Sequence, residues 1–158
     1  MDLDQPLTRQ SGLHKQPLSL DHYVFAYGTG LGEPPRTLDA YLKQPQIQVS
    51  SRRDGLSPVD LHLGLKGLRR NIAVSTQSPL AARLIADRQP LGLSLPSRVA
   101  SALGLRQVPL PLEEPVPLAL ALYMEAKYRF ERSREQAMAC LLQALGEPRL
   151  PCPLARRA

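Results

Sequence analysis

AVSTQSPLAARLIADRQPLGLSLPSRVA, residues 73–100, is the stretch on which the fold turns, because its hydrophobic period changes several times in quick succession. Its first residues, with Asn71 and Ile72 before them, read as a strand, NIAVS at 71–75. Ser78-Pro79 joins a capping side chain to a first-turn proline and predicts a helix with Leu80, Leu84 and Ile85 on its buried face. LGLSL at 91–95 returns to strand character, and Pro96 opens a further helix carrying Val99, Ala100 and Leu103, which Gly104 closes. Strands alternating with short helices predict an α/β domain whose parallel sheet is covered by helices on both faces.

The flanking sequence continues the alternation. YVFAY at 23–27 is aromatic and β-branched enough for a strand, and GTGLGEPP at 28–35 ends it in a turn. Thr37 is placed to cap a short helix containing Leu38, Tyr41 and Leu42, stopped before Pro45, after which IQVS at 47–50 reads as a strand. Val59, Leu61, Leu63 and Leu65 alternate with a period of two, which is strand patterning. Ser57-Pro58 is nevertheless a helix-initiation pair and Gly67 stands where such a helix would stop, so this segment is assigned as helix. Downstream, LRQVPL at 105–110 and PLALALYM at 117–124 read as strands on either side of a proline-rich crossing. Arg132 to Leu145 reads as an amphipathic helix with Ala137, Met138, Leu141, Leu142 and Leu145 as its buried stripe.

With 158 residues, 43% of them apolar, the chain is long enough for a real core, and its 16 prolines cut it into short elements. The net charge of +6 is spread out: only Arg52-Arg53, Arg69-Arg70 and Arg156-Arg157 are adjacent basic pairs. With no Trp and two Phe there is little to stack on bases, so the charge reads as a basic solvated surface rather than a nucleic-acid footprint. Cys140 and Cys152 belong to no ligand cluster, and His14, His22 and His62 share no metal-ligand spacing, His62 reading as a helix-surface residue. No metal and no cofactor is expected. The longest apolar run, 116–124, is far shorter than the roughly 20 residues of a membrane span, and no signal pattern precedes it, so a cytoplasmic location is expected.

Catalysis requires a nucleophile with its base, paired carboxylates or a metal cluster, and none is legible. Glu113-Glu114 lie in a proline-rich crossing and read as solvated, so the chain is expected not to be an enzyme. GTGLGE at 28–33 lacks the spacing of a phosphate cradle and runs into Pro34-Pro35. Binding chemistry is more legible. Ser75-Thr76-Gln77-Ser78 falls where a strand ends and a helix begins, where hydroxyls and free backbone N–H groups suit a carboxylate or similar anion. The plainer alternative is that Ser78 only caps its helix. Ser50-Ser51 ends another strand ahead of the polar Arg52-Arg53-Asp54-Gly55, which an ordinary turn explains equally well.

Two phrases in order, QVSSRRDG at 48–55 and the 73–100 stretch, resemble the effector-binding domain of LysR-type transcriptional regulators, and the similarity extends from about Leu3 to Leu145. The resemblance implies a type 2 periplasmic-binding-protein-like fold with one complete Rossmann-like lobe and remnants of the other. It divides the chain into 1–36 (remnant of the first lobe and crossing strand), 37–115 (second lobe), 116–146 (returning strand and terminal helix) and 147–158 (tail). It places a small organic acid or aromatic metabolite in an interlobe cleft against Ser50, Ser51, Thr76, Gln77 and Ser78, with Gly28 and Gly30 as a hinge. It further implies a homodimer, or a complex with a full-length regulator, and contact with DNA only through a winged helix-turn-helix that this chain lacks. The alternative expectation is an interaction module that pairs with a full-length regulator without binding a ligand.

Overall fold

The structure is a computed structural model, and it describes residues 13–50, 56–125 and 132–144. In chain order the elements are β1 (Leu13–Tyr27), α1 (Leu38–Lys43), β2 (Gln46–Val49), α2 (Pro58–Leu65), β3 (Ile72–Thr76) and α3 (Pro79–Ala86). They continue with β4 (Gly92–Pro96), α4 (Ser97–Ala102), β5 (Arg106–Pro109), β6 (Pro117–Glu125) and α5 (Arg132–Ala144). The chain divides into two compact units, one formed by Asp21–Leu118 and the other including 13–20, 119–125 and 132–144.

In the first unit the strands lie in the order β3-β2-β4-β1-β5. β2 pairs in parallel with both β3 and β4, as the two βαβ steps require. The expectation of a wholly parallel sheet is corrected, because β1 runs antiparallel to β4, with Phe25 opposite Ser94, and antiparallel to β5, with Phe25 opposite Val108. The reason is connectivity: β1 is joined to neither neighbour by a strand-helix-strand crossover, so nothing imposes the parallel sense on it. β1 is also much longer than the YVFAY core suggested, since it begins at Leu13.

Helices cover both faces of this sheet, and β1 shows how alternation divides the core between them. Val24 and Ala26 join Ile47, Leu93 and Leu95 against Ala82 and Ala86 of α3 and Ala100 of α4. Phe25 and Tyr27 point the other way, to Tyr41 of α1 and to Val59 and Leu63 of α2. There the Phe25 and Tyr41 rings meet edge to face at 5.9 Å.

The period-two leucines of 59–65 are helical. Ser57 accepts from the Asp60 N–H while the Asp60 carboxylate accepts from the Ser57 N–H, and Pro58 fixes the first turn. Val59 and Leu63, four apart, are buried, whereas Leu65 is exposed. Gly67 and Gly104 follow α2 and α4 at φ of 69° and 66°, the left-handed conformation that ends a helix cheaply only at glycine. On α3 the expected buried face is corrected. Ala82 and Ala86 are buried with Ile85 packed beside them, while Leu80 and Leu84 stand in solvent at 59% and 56% exposure. The sheet approaches this helix closely, and only the alanine face fits against it.

In the second unit β6 pairs with β1. On α5 the expected stripe is corrected in part: Ala139 is buried, Ala137 is exposed and Leu141 is 43% exposed. Leu145 and the side chains of Met138 and Leu142 lie outside the described residues. No helix among the described residues is long and apolar enough to cross a membrane.

Candidate functional site

The chain order reverses direction across the sheet at β2: α2 carries it outward to β3, and α3 carries it back over β2 to β4. Ligands of open α/β sheets sit beyond the carboxyl ends of strands at such a switch point. Here the Ser50 N–H donates to the Thr76 carbonyl at 3.1 Å, so the ends of β2 and β3 are fastened together. The Ser78 N–H donates to Thr76 Oγ1 at 3.2 Å, and Ser78 Oγ accepts from the Ala81 N–H at 3.3 Å. Ser78 is thus the cap of α3. Pro79 has no N–H and the Ala82 N–H reaches the Ser78 carbonyl, which leaves the Leu80 N–H as the donor open to an anion at this end.

Ser50, Thr76 and Ser78 are therefore brought together; Gln77 follows Thr76 directly and is exposed. Ser51 lies outside the described residues, as do Arg52, Arg53, Asp54 and Gly55. Gly28 and Gly30 lie against the end of α3. The Gly30 N–H donates to the Ala86 carbonyl at 3.1 Å, and a Cβ on Gly30 would come within 2.3 Å of the Gln89 carbonyl oxygen. A Cβ on Gly28 would come within 2.7 Å of the Ala86 carbonyl oxygen. Close backbone approach accounts for glycine at both positions.

A buried polar cluster beneath α1 and α2 escaped the sequence reading. The Arg70 side chain, 1% exposed, grips Asp60 through Nε at 2.9 Å and Nη2 at 2.8 Å. Nη1 reaches Gln46 Oε1 at 3.0 Å, and Nη2 also lies against Ser57 Oγ at 3.2 Å and Gln48 Oε1. Gln48 Nε2 donates to Asp60 at 3.2 Å, and Gln46 Nε2 to the Tyr41 carbonyl at 3.0 Å. Ser94 Oγ donates to Gln46 Oε1 at 3.1 Å and shares a 2.8 Å hydrogen bond with the Tyr41 hydroxyl. Burial, the largest influence, raises the Tyr41 phenol above its ordinary value against the field of Arg70. A signal was available: Gln46-Ile47-Gln48-Val49 puts glutamines at period two on a central strand, where both faces are covered and a polar face must find internal partners. This cluster is satisfied internally and offers no reacting group. Among the described residues no group of three or more His, Cys, Asp or Glu could hold a metal. His62 is half-buried rather than on the helix surface, and its Nε2 is enclosed without a hydrogen-bond partner.

No family model and no curated protein matches this chain. Solved structures do. A probable transcriptional regulator of Pseudomonas aeruginosa is similar over 85% of this chain and 45% of its own, at 26% identity and a TM-score of 0.68. The regulatory domain of MexT, a transcriptional activator in the same organism, is similar over 85% of this chain and 68% of its own, at 18% identity and a TM-score of 0.67. The regulatory domain of MetR, a LysR family regulator from N. meningitidis, covers 92% of this chain and 69% of its own, at 13% identity and a TM-score of 0.65. The chain spans less than half the length of the first of these.

Sheet order, helices on both faces and these likenesses define the class by fold: the type 2 periplasmic-binding-protein-like α/β fold. More particularly, the fold is the one seen in the regulatory domain of the LysR family regulator MetR and in that of the activator MexT.

Proposed function

We propose that this chain is the effector-sensing portion of a LysR-type transcriptional regulator, without enzymatic activity, acting in the cytoplasm. Its effector is a small organic acid or aromatic metabolite held by Ser50, Ser51, Thr76, Gln77 and Ser78, and the bound state controls transcription through associated DNA-binding domains. The observation that carries this reading is the fastening of Ser50 to Thr76 at the switch point, beside the capped start of α3. Hydroxyls, an exposed amide and the open Leu80 N–H there form a donor-rich surface suited to a carboxylate. Gly28 and Gly30 are proposed to let the chain flex on binding as well as to admit α3.

The test is calorimetric titration of the chain with a panel of small aliphatic and aromatic acids, repeated on Gln77→Ala and Thr76→Ala. Binding of one acid in the panel, weakened about tenfold by either substitution, supports the reading, since each lost hydrogen bond to a charged group is worth roughly 1.5–3 kcal/mol. Binding indifferent to both substitutions would remove the site from this position.

A second reading, an interaction module that pairs with a full-length regulator or with itself, is favoured by exposed leucines on two helices: Leu80 and Leu84 on α3, and Leu141 on α5. Analytical ultracentrifugation separates the two. Charged substitutions at Leu141 and Leu84 that abolish association while ligand titration stays silent support the module; a monomer that still binds an acid supports the sensor.

A further inference from the structure

A cavity of about 690 Å³ opens between α2 and β3, the outermost strand of its sheet; Gln48 and Ser75 are in its lining, whereas Ser50, Thr76, Gln77 and Ser78 are not. Leu61, Leu65, Leu68 and Ile72 wall it, and Asp60 and Arg70 reach it from the buried cluster. Its size falls within the roughly 300–1,000 Å³ of small-molecule sites. Leu65 is 86% exposed and Ile72 38% exposed, so the aliphatic wall is left wet although α2 has a fully buried face elsewhere.

The polar inventory is uneven. The Arg70 guanidinium is occupied by Asp60, Gln46, Gln48 and Ser57, and the Asp60 carboxylate by Arg70, Ser57 and Gln48. Neither has charge to offer a guest. Arg69 also lines the cavity, is exposed, and has no ion-pair partner among the described residues. A long aliphatic wall with one uncompensated cation fits a guest with an apolar body and a single negative head. Sugars and nucleotides, which need hydrogen-bond partners along their whole length, do not fit such a wall.

We infer that this cavity is a second ligand site, taking an amphipathic aliphatic carboxylate whose chain lies along Leu61, Leu65 and Leu68 and whose head pairs with Arg69. It borders the strand-end site at Ser75 but includes none of Ser50, Thr76, Gln77 and Ser78, and it does not rest on the function proposed above. Octanoate is the probe, titrated into the full chain by calorimetry, with octyltrimethylammonium as the cation of the same chain. Octanoate is expected to bind at one site. Leu65→Glu and Arg69→Glu should each weaken binding about tenfold, through lost apolar contact and reversed charge respectively, while Leu84→Glu on the distant exposed face of α3 should change nothing. No octanoate binding overturns the inference, as does binding unmoved by Leu65→Glu and Arg69→Glu. Equal binding of the cation overturns it too, and so does loss of binding on Leu84→Glu, which would place the guest on α3. Both substituted wall positions are solvent-exposed, and a circular-dichroism melt of each variant separates lost binding from lost fold.

Discussion

Arg70 sits where its charge is answered completely. Asp60 accepts from Nε and Nη2, Gln46 from Nη1, and Gln48 and Ser57 share Nη2. Removing one partner of such a pair leaves a buried charge alone, so Arg70→Ala is expected to lower the unfolding free energy by about 3–5 kcal/mol in urea denaturation. Replacing Arg70 and Asp60 together by Met and Leu should recover much of that loss, because the desolvation cost of both ions disappears with them. Tyr41 lies at the other end of the cluster. Its folded-state pKa is raised above the ordinary value of about 10, so its contribution is intact below that pH and is lost as pH rises towards the folded value. Tyr41→Phe is expected to cost about 1 kcal/mol at neutral pH and to flatten the alkaline decline in thermal midpoint. Tyr23, whose pKa is also raised mainly by burial, will keep part of that decline. The sequence displayed these residues without joining them: Gln46 and Arg70 are 24 positions apart and Tyr41 and Ser94 are 53 apart, and only packing of α2 and α1 on one face of the sheet sets them together.

At the scale of elements, local chemistry was the better guide. Thr37, Ser57 and Ser78 each cap the helix expected of them, accepting from Ala40, Asp60 and Ala81 respectively. Ser78→Ala is therefore expected to destabilise by about 0.5–1 kcal/mol through the lost cap alone, measured by urea titration without ligand. That value fixes the structural share of any larger effect Ser78 has on ligand binding. Faces were harder to read than helices. Leu80 and Leu84 satisfy a helical period as well as Ala82 and Ala86 do, but only alanines allow the close approach that also demands glycine at 28 and 30. Gly30→Ala, whose Cβ would meet backbone at 2.3 Å, should cost about 1–3 kcal/mol. Gly32→Ala, with nothing within 4 Å of its Cβ, should be close to neutral. Equal losses at the two positions would show that backbone freedom, and not the approach of α3, sets the requirement.

At the scale of the molecule, protection should follow the order of strands. In the Asp21–Leu118 unit β1 lies between β4 and β5, and Val24 to Tyr27 pair on both sides. Amide hydrogen exchange is expected to be slowest there and at Ile47, and faster in the outermost β3 and β5. Faster exchange in β1 than in β3 would contradict the order. Leu84→Glu should leave the thermal midpoint unchanged because the side chain is already exposed, so any effect it has on sedimentation reports association rather than folding.

The sequence by itself determined the alternation of strands and helices and the helix starts and stops, which are set by local capping, proline and glycine geometry, and hydrophobic period acting within a few residues. The likeness in fold to LysR-family regulatory domains was legible as a resemblance of the phrases at 48–55 and 73–100. Only the tertiary structure decided the antiparallel course of β1, which face of α3 is buried, the closure of Arg70 over Asp60, and the aliphatic cavity beside β3. Each depends on which strand lies next to which and how closely a helix can approach, and those are relations between residues too far apart in the chain for any local pattern to encode.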